Sequence, residues 1–227
     1  QPAGRFGLAR TACLENCSNQ TVKLNILDGI ANILPPGLDS RMQANSSVLT
    51  DAYKQSELQS NSRMALYSTA SGITDRPEPM ENLRANCAWS SGLDEAAVTL
   101  ATKVPDAMIQ AKAIDPCTLN CGQRGAYWLQ CEVSLEPGQK KEWVIVLDSD
   151  LDAAGITQRI EELDTQGGLE LVKDAIDSNA AELARLLASA DAFQCGNDSM
   201  SQIHHTANVL FNSMRGGVFI NGYNIKG

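Results

Sequence analysis

The only two histidines among the 227 residues are adjacent, in a segment with helical periodicity. The side chains of His204 and His205 would therefore point about 100° apart around a helix axis. A pair that shares a metal ion on a helix has a spacing of four residues, so no metal is predicted here. Asn208 and Arg215 follow on the same polar flank as His204. These three side chains could bind a sugar or an anion, but we prefer a polar contact on the helix surface or between domains.

Three aspartates, Asp148, Asp150 and Asp152, follow the apolar run VIVL. A pair of acids can cleave a glycosidic bond, which makes this cluster a catalytic candidate in principle. At a junction between a strand and a helix, however, such acids more often cap the helix or remain solvated. The sequence has no GxSxG motif, no glycine loop for phosphate and no HExxH motif. We therefore assign no catalytic residue, and the chain alone is predicted to be a scaffold.

The seven cysteines are an odd number, which favours reduced thiols and a cytoplasmic setting. Cys13 and Cys17 have a four-residue offset that Cys117 and Cys121 repeat. Zinc sites permit this spacing, but the flanking residues lack tight CxxC turns. A free cysteine commonly behaves as a small buried apolar residue, and we prefer that interpretation. Neither a metal nor another cofactor is predicted.

The three tryptophans, Trp89, Trp128 and Trp143, lie in strand-like segments. Tryptophan can stack on a sugar ring, so these side chains are candidates for carbohydrate binding. Aromatic residues are only 5% of the chain, however, and strand-like surroundings favour the protein core.

The charge balance excludes two classes of partner. Lys and Arg number 18 against 27 Asp and Glu, a formal net charge of −9, which repels nucleic-acid phosphates and anionic lipids. No apolar run reaches the roughly 20 residues needed to cross a bilayer. The first residues lack the features of a signal peptide, and because the chain begins with Gln we expect it to be part of a longer protein.

Residues 1–150 have the pattern of an antiparallel β-sandwich. The segments FGLARTACLE and VKLNILDGI predict an antiparallel strand pair, and a helix near 41–58 follows a proline-containing loop. Further strands are predicted in RMALYSTAS, LRANCAWSS and AAVTLATKV. The last two, AYWLQCEVSLEPG and KEWVIVLDS, are predicted to form a strand pair connected by the EPGQ turn. One sheet packed on another is the expected architecture.

Residues 151–227 instead have the pattern of a helical linker. Helices are predicted over 152–163, over 169–190 and from Asp198, the last with Ser199 and Gln202 in a capping box. The segment MRGG would end that helix, and VFINGYNI predicts a short hairpin with its turn at Asn221-Gly222. The predicted fold class is therefore mainly β with α, an α+β chain.

Two long stretches resemble one enzyme family. The first is RFGLARTACLENCSNQTVKLNILDGIANILPPGLDSRMQ, and the second runs from LEPGQKKEWVIVLDSD through HHTANVLFNSMRGGVFINGYNI. They are similar to the sandwich domain and helical linker of carbohydrate-active enzymes of the cellobiose-phosphorylase type. The resemblance implies an antiparallel β-supersandwich of the galactose-mutarotase type followed by linker helices. In that family an (α/α)6 barrel comes next and holds the catalytic acid, so no catalytic residue can be carried over to this chain.

The resemblance also implies a function. The chain would be the noncatalytic sandwich and linker portion of a glycoside hydrolase or phosphorylase, and it would shape the sugar cleft and form domain or subunit contacts. Its implied partners are carbohydrate, through the parent enzyme, the barrel domain, and a second copy in a homodimer. The flank of His204, Asn208 and Arg215 would face the barrel, and the helix over 198–215 should expose an apolar patch.

Two other classes of function remain open at this stage. A free-standing carbohydrate-binding module would need a row of solvent-facing Trp or Tyr side chains. A structural or assembly domain unrelated to carbohydrate requires only a generic α+β pattern. A self-contained enzyme ranks below both, because the histidine pair and the aspartates lie on separate elements.

Overall fold

The computed structural model describes residues 6–60, 62–74, 77–78, 80–110, 114 and 116–215. Within these ranges the chain forms nine strands and six helices. In chain order these are β1 (Leu8–Glu15), β2 (Val22–Ile33), α1 (Ser40–Asn45), α2 (Ser47–Tyr53), β3 (Lys54–Leu58), β4 (Ala65–Thr69), β5 (Ala85–Ser91), β6 (Ala97–Thr99), α3 (Val104–Ile109), β7 (Leu119–Cys121), β8 (Gly125–Leu135), β9 (Lys140–Leu151), α4 (Ala153–Gln166), α5 (Gly168–Ser189) and α6 (Ser199–Met214).

The strands form two antiparallel sheets. The larger has the order β1-β9-β5-β4-β3-β7 and the smaller the order β2-β8-β6. Tyr67 and Ile145 from the larger sheet share one buried cluster with Ile26 and Leu129 from the smaller. The hydroxyl of Tyr67 also donates to the carbonyl oxygen of Ala126 at 2.9 Å, so a hydrogen bond connects the sheets across the core. Of the described residues, 35% are helical and 33% are in strands, which confirms the α+β class with a sandwich-like pair of sheets.

The predicted pairing of the first two strands is wrong. Strand β1 pairs with β9, and β2 pairs with β8 in the other sheet. The turn between them is held by the buried side chain of Asn16. Its Nδ2 donates to the carbonyl oxygens of Gln20 and Leu135, both at 2.8 Å. Because these bonds fix the turn, the chain crosses from one sheet to the other instead of folding back on itself.

The predicted strand pair around the EPGQ turn is also wrong. Strands β8 and β9 lie in different sheets, so residues 136–139 also form a crossover. The two crossovers are bonded to each other, with the amide of Asn16 donating to Gln139 O at 3.0 Å and that of Gly138 to Asn16 O at 2.8 Å. A period of two in the sequence predicts a strand but not its partner.

The predicted helix near 41–58 is interrupted and ends early. Helix α1 ends before Ser46, which has a non-helical backbone, and α2 ends at Tyr53. The segment KQSEL is strand β3, which buries Lys54 and Ser56 and pairs with both β4 and β7. Pairing on both edges therefore overrides the helical spacing of this segment.

The strand predicted in AAVTLATKV is also shorter than expected. Strand β6 covers only Ala97–Thr99, and helix α3 begins at Val104. The second residue of α3 is Pro105, whose fixed φ and missing amide hydrogen suit the first turn of a helix.

The three helices predicted after residue 151 are present as α4, α5 and α6. Gly167 separates α4 from α5 with a φ of 74°, a left-handed conformation that favours glycine. Helix α6 is capped by Asp198, which accepts hydrogen bonds from the amides of Met200 and Ser201, so the predicted capping box at Ser199 is wrong. The predicted stop at MRGG and the hairpin in VFINGYNI extend outside the described residues.

The chain divides into two compact units, residues 1–173 and 174–227, and the division falls within α5. The first unit contains both sheets, and the second contains α6. Nothing tests the predicted domains 1–150 and 151–227 directly, and they stay a prediction. Across the described ranges, no helix combines the length and apolar character needed to cross a membrane.

Candidate functional site

The predicted site residues His204, Asn208 and Arg215 lie on or directly after α6. His204 and Asn208 are exposed on successive turns, and Arg215 follows the last helical residue. Asn208 Oδ1 accepts a hydrogen bond from Asn212 Nδ2 at 3.2 Å, and the guanidinium of Arg215 stacks 5.3 Å from the ring centre of Phe211. A helix rises 1.5 Å per residue, so His204 and Arg215 are roughly 16 Å apart along the axis. The three side chains form a line and do not converge on one small ligand.

The neighbouring histidine has a different role. His205 Nε2 lies 2.7 Å from the carbonyl oxygen of Asp191, and the hydroxyl of Thr206 donates to Ala192 O at 2.7 Å. These contacts hold the middle of α6 against the connection that follows α5. The two adjacent histidines therefore point to different surroundings, as their spacing predicts.

Helix α6 exposes an apolar stripe. We call this set, Met200, Ile203, Phe211 and Met214, the α6 stripe. Its side chains are between 56% and 78% exposed, and the exposed residue Ala207 lies in line with them. The exposed apolar patch predicted for this helix is therefore confirmed. The sequence of α6 also contains no Asp, Glu, Lys or Arg.

The three aspartates near the end of β9 do not form a catalytic pair. Asp148 is buried and accepts hydrogen bonds from Trp89 Nε1 at 3.1 Å and Arg159 Nε at 2.9 Å. Asp150 and Asp152 instead share the guanidinium of Arg84, at 3.3 and 3.7 Å. Asp152 also caps α4 by accepting from the amide of Gly155 at 2.8 Å, which is the capping role expected at this junction.

The Asp148 cluster joins α4 to the larger sheet. Arg159, in α4, pairs with Asp148 and also with Glu162. Its guanidinium lies 4.5 Å from the ring centre of Phe6, which makes an edge contact with Trp89 at 5.5 Å. Burial raises the pKa of Asp148, an effect that the charge of Arg159 and the hydrogen bond from Trp89 oppose. The sequence gives no sign that Arg159 is buried, so this cluster was not predicted.

The tryptophans are not arranged as a sugar-binding platform. Trp89 and Trp143 are buried, and Trp128 is half-buried with its ring against the backbone of Gly29. Trp143 Nε1 donates to Asp28 Oδ2 at 2.6 Å. The expectation that these side chains belong to the core is confirmed for Trp89 and Trp143.

The repeated cysteine offset does not create a metal cluster in the part of the chain that the structure describes. No group of three or more His, Cys, Asp or Glu side chains there is arranged to hold an ion. Cys13, Cys17 and Cys121 are exposed, whereas Cys117 is half-buried. Burial raises the pKa of Cys87, in the core, to about 12, and the nearby Asp148 adds to this shift.

A polar cleft beside the end of β2 was not predicted. It has a volume of about 260 Å³, and side chains from separate segments line it. Those with polar groups are Asn32, Asp51, Thr102, Gln123 and Arg124. The glycines in GQRG indicate only a turn near this cleft, because the other residues come from distant parts of the sequence.

The fold and these sites define a two-sheet α+β protein with helices after the sheets. No protein-family model matches the chain, and a search of curated proteins found no match. The resemblance to carbohydrate-active enzymes thus remains a hypothesis drawn from the sequence.

Proposed function

We propose that this chain is the noncatalytic sandwich and linker portion of a carbohydrate-active enzyme, a glycoside hydrolase or phosphorylase. In this role α6 docks on a helical neighbouring domain, and the sandwich supports the sugar cleft. The observation that carries the proposal is the α6 stripe, because a water-exposed helix without charged residues is unusual unless a partner covers it.

The composition of α6 fits a helix–helix interface. Met200, Ile203, Ala207, Phe211 and Met214 recur at spacings of three, four and seven residues, which is the pattern of ridges that pack into the grooves of another helix. Interface centres are depleted in charged residues and enriched in Met and Phe. The polar flank that begins with His204 would then form the rim of the contact.

The buried tryptophans favour this proposal over a free-standing carbohydrate-binding module. Such a module would use exposed aromatic rings, whereas Trp89 and Trp143 pack in the core and Trp128 packs on Gly29. A structural domain unrelated to carbohydrate would share the same fold, but no catalytic domain would follow it in the complete protein.

The first experiment is to sequence the open reading frame on both sides of the codons for Gln1 and Gly227. Several hundred following residues with a repeating helix-pair pattern, and glycoside cleavage by the complete protein, would support the proposal. A stop codon directly after Gly227, or a following segment of another architecture, would contradict it.

The docking of α6 can be tested in the complete protein. Phe211→Asp places a charge in the α6 stripe and is expected to release the helix, detected as faster limited proteolysis within 199–214. The control is Asn212→Asp, which adds the same charge on the polar side of the helix. Equal proteolysis rates in both variants and the unaltered protein would show that no partner covers the stripe.

A further inference from the structure

The polar cleft is built around a left-handed asparagine. Strand β2 changes register between Ala31 and Ile33, and Asn32 is the additional residue, with a φ of 60°. A β-bulge redirects the side chain at the bulge, and a non-glycine residue held in this conformation is a common feature of functional sites. The bulge aims Asn32 into the cleft, towards the turn before β8.

Two amide side chains in the cleft are each held at one end. Arg124 Nη1 donates to Asn32 Oδ1 at 3.3 Å, and the hydroxyl of Thr102 donates to Gln123 Oε1 at 3.0 Å. These bonds occupy the amide oxygens, so the nitrogen Nδ2 of Asn32 and Nε2 of Gln123 remain as donors. Neither nitrogen has a hydrogen-bond partner among the described residues.

Asp51 provides an acceptor in the same cleft. Its Oδ1 accepts from Lys54 Nζ at 2.7 Å and from Gln43 Nε2 at 3.2 Å, and Lys54 is only 3% exposed. Partial burial raises the pKa of Asp51, but the hydrogen bonds from Lys54 and Gln43 outweigh this effect and lower the pKa overall. The carboxylate is therefore ionised, and its Oδ2 has no hydrogen-bond partner within the described ranges.

The donors and the carboxylate acceptor in the cleft are complementary to a ligand that has adjacent hydroxyl groups. A hydroxyl donates one hydrogen bond and accepts others, so it can donate to Asp51 Oδ2 while it accepts from Asn32 or Arg124. A phosphate or carboxylate ligand would meet the negative charge of Asp51. The cleft volume of about 260 Å³ lies just below the roughly 300–1,000 Å³ of typical ligand pockets, and this small size suits one sugar ring.

We infer that the cleft between the β2 bulge and the turn at Gln123 and Arg124 is a binding site for a single neutral sugar ring. The inference rests on the proposed function, in which the sandwich belongs to a carbohydrate-active enzyme. It adds a sugar-binding site formed by residues of the sandwich itself.

The test measures binding of D-glucose and D-galactose to the 227-residue chain by saturation-transfer NMR and by amide chemical shifts. We expect saturable binding of at least one sugar, with the largest shifts at Asn32 and Gln123. Asn32→Gly retains the left-handed backbone but removes the amide, and Arg124→Ala removes the guanidinium. Both variants should weaken binding at least fivefold, whereas Arg185→Ala, an exposed arginine on α5, should not change it.

The inference is overturned if neither sugar binds saturably, if both cleft variants bind as the unaltered chain does, or if inorganic phosphate displaces the sugar. These outcomes are distinguishable from failure of the proposed function. If the chain binds no sugar but a barrel follows it and α6 docks on that barrel, only the sugar site is contradicted. If the chain binds sugar but its reading frame stops at Gly227, only the scaffold role is contradicted.

Discussion

The sandwich and α6 differ in which side chains they bury and which they expose to water. Where α4 joins the larger sheet of the sandwich, even the charged groups of Asp148 and Arg159 are buried, and each has partners inside the protein. In α6, large apolar side chains such as Phe211 face solvent. The charges of the Asp148–Arg159 pair compensate each other inside the protein, whereas an exposed apolar stripe on an uncharged helix is typical of a surface that a partner covers. The difference separates a packed region with internally paired charges from a helix that leaves an apolar stripe exposed.

The largest effect is expected when the buried ion pair is broken. Arg159→Ala leaves Asp148 charged and buried with one strong partner fewer, so the free energy of unfolding should fall by about 3–5 kcal/mol. Urea unfolding followed by tryptophan fluorescence measures it, since all three tryptophans lie in the first unit. Arg185→Ala, which breaks the exposed pair with Glu182, should leave the curve unchanged. Similar unfolding curves for the two variants would show that the buried ion pair stabilises the fold no more than the exposed one.

Alkaline pH should weaken the sandwich through its buried thiol. Burial raises the pKa of Cys87 from 9.0 to about 12, so between these values the unfolded chain loses a proton that the folded chain keeps. Stability therefore falls as the pH rises, by about 2 kcal/mol between pH 9 and pH 11. Urea unfolding at both pH values should show this extra loss in the unaltered chain and not in Cys87→Ala. An equal loss in both proteins would contradict the assignment to Cys87.

The hydrogen bond between the sheets should have a smaller effect. Tyr67→Phe removes the donor to Ala126 O and leaves that buried carbonyl without this partner, which should cost about 1 kcal/mol. The same urea experiment measures it. Tyr53→Phe is the control, because the Tyr53 hydroxyl makes no hydrogen bond to the described residues. A smaller loss for Tyr67→Phe than for Tyr53→Phe would exclude a stabilising bond between the sheets.

The smallest effect is expected on α6. Phe211→Ser replaces an exposed side chain, so the thermal stability of the 227-residue chain should change by less than about 0.5 kcal/mol. Leu187→Ser, in the same unit but buried, should destabilise that unit clearly. Thermal unfolding followed by helical circular dichroism compares the two. If Phe211→Ser were as damaging as Leu187→Ser, the stripe would be part of a core.

The sequence predicted the elements better than their partners. The helical patterns of α4, α5 and α6, the alternation in β8 and the unbroken apolar run in β9 are local patterns, and all five elements are present. Pairing of β1 with β9 depends on side chains such as Asn16 that form the crossovers, and no local period encodes it. Strand β3 was mistaken for helix because its spacing fits both structures and only pairing with β4 and β7 decides between them.

The sites likewise divide into those that local spacing predicts and those that depend on tertiary contacts. The exposed flank of His204 and Asn208 follows from helical spacing, and so does the α6 stripe. The Asp148–Arg159 pair and the cleft at Asn32 and Arg124 each combine residues from separate elements. The left-handed backbone of Asn32 arises from a bulge in the sheet. This is a tertiary feature that the residues next to Asn32 in the sequence do not predict.

The position of β1 has a consequence for synthesis. Leu8 faces Leu147 across the β1–β9 pair, so β1 leaves the ribosome more than a hundred residues before its partner. Strand β2 similarly requires β8. Such distant pairing predicts slow folding, and the larger sheet cannot close until β9 has emerged. Between the emergence of β1 and that of β9 the nascent chain therefore carries an unpaired strand, and ribosomes arrested before Lys140 should display it in a protease-sensitive form.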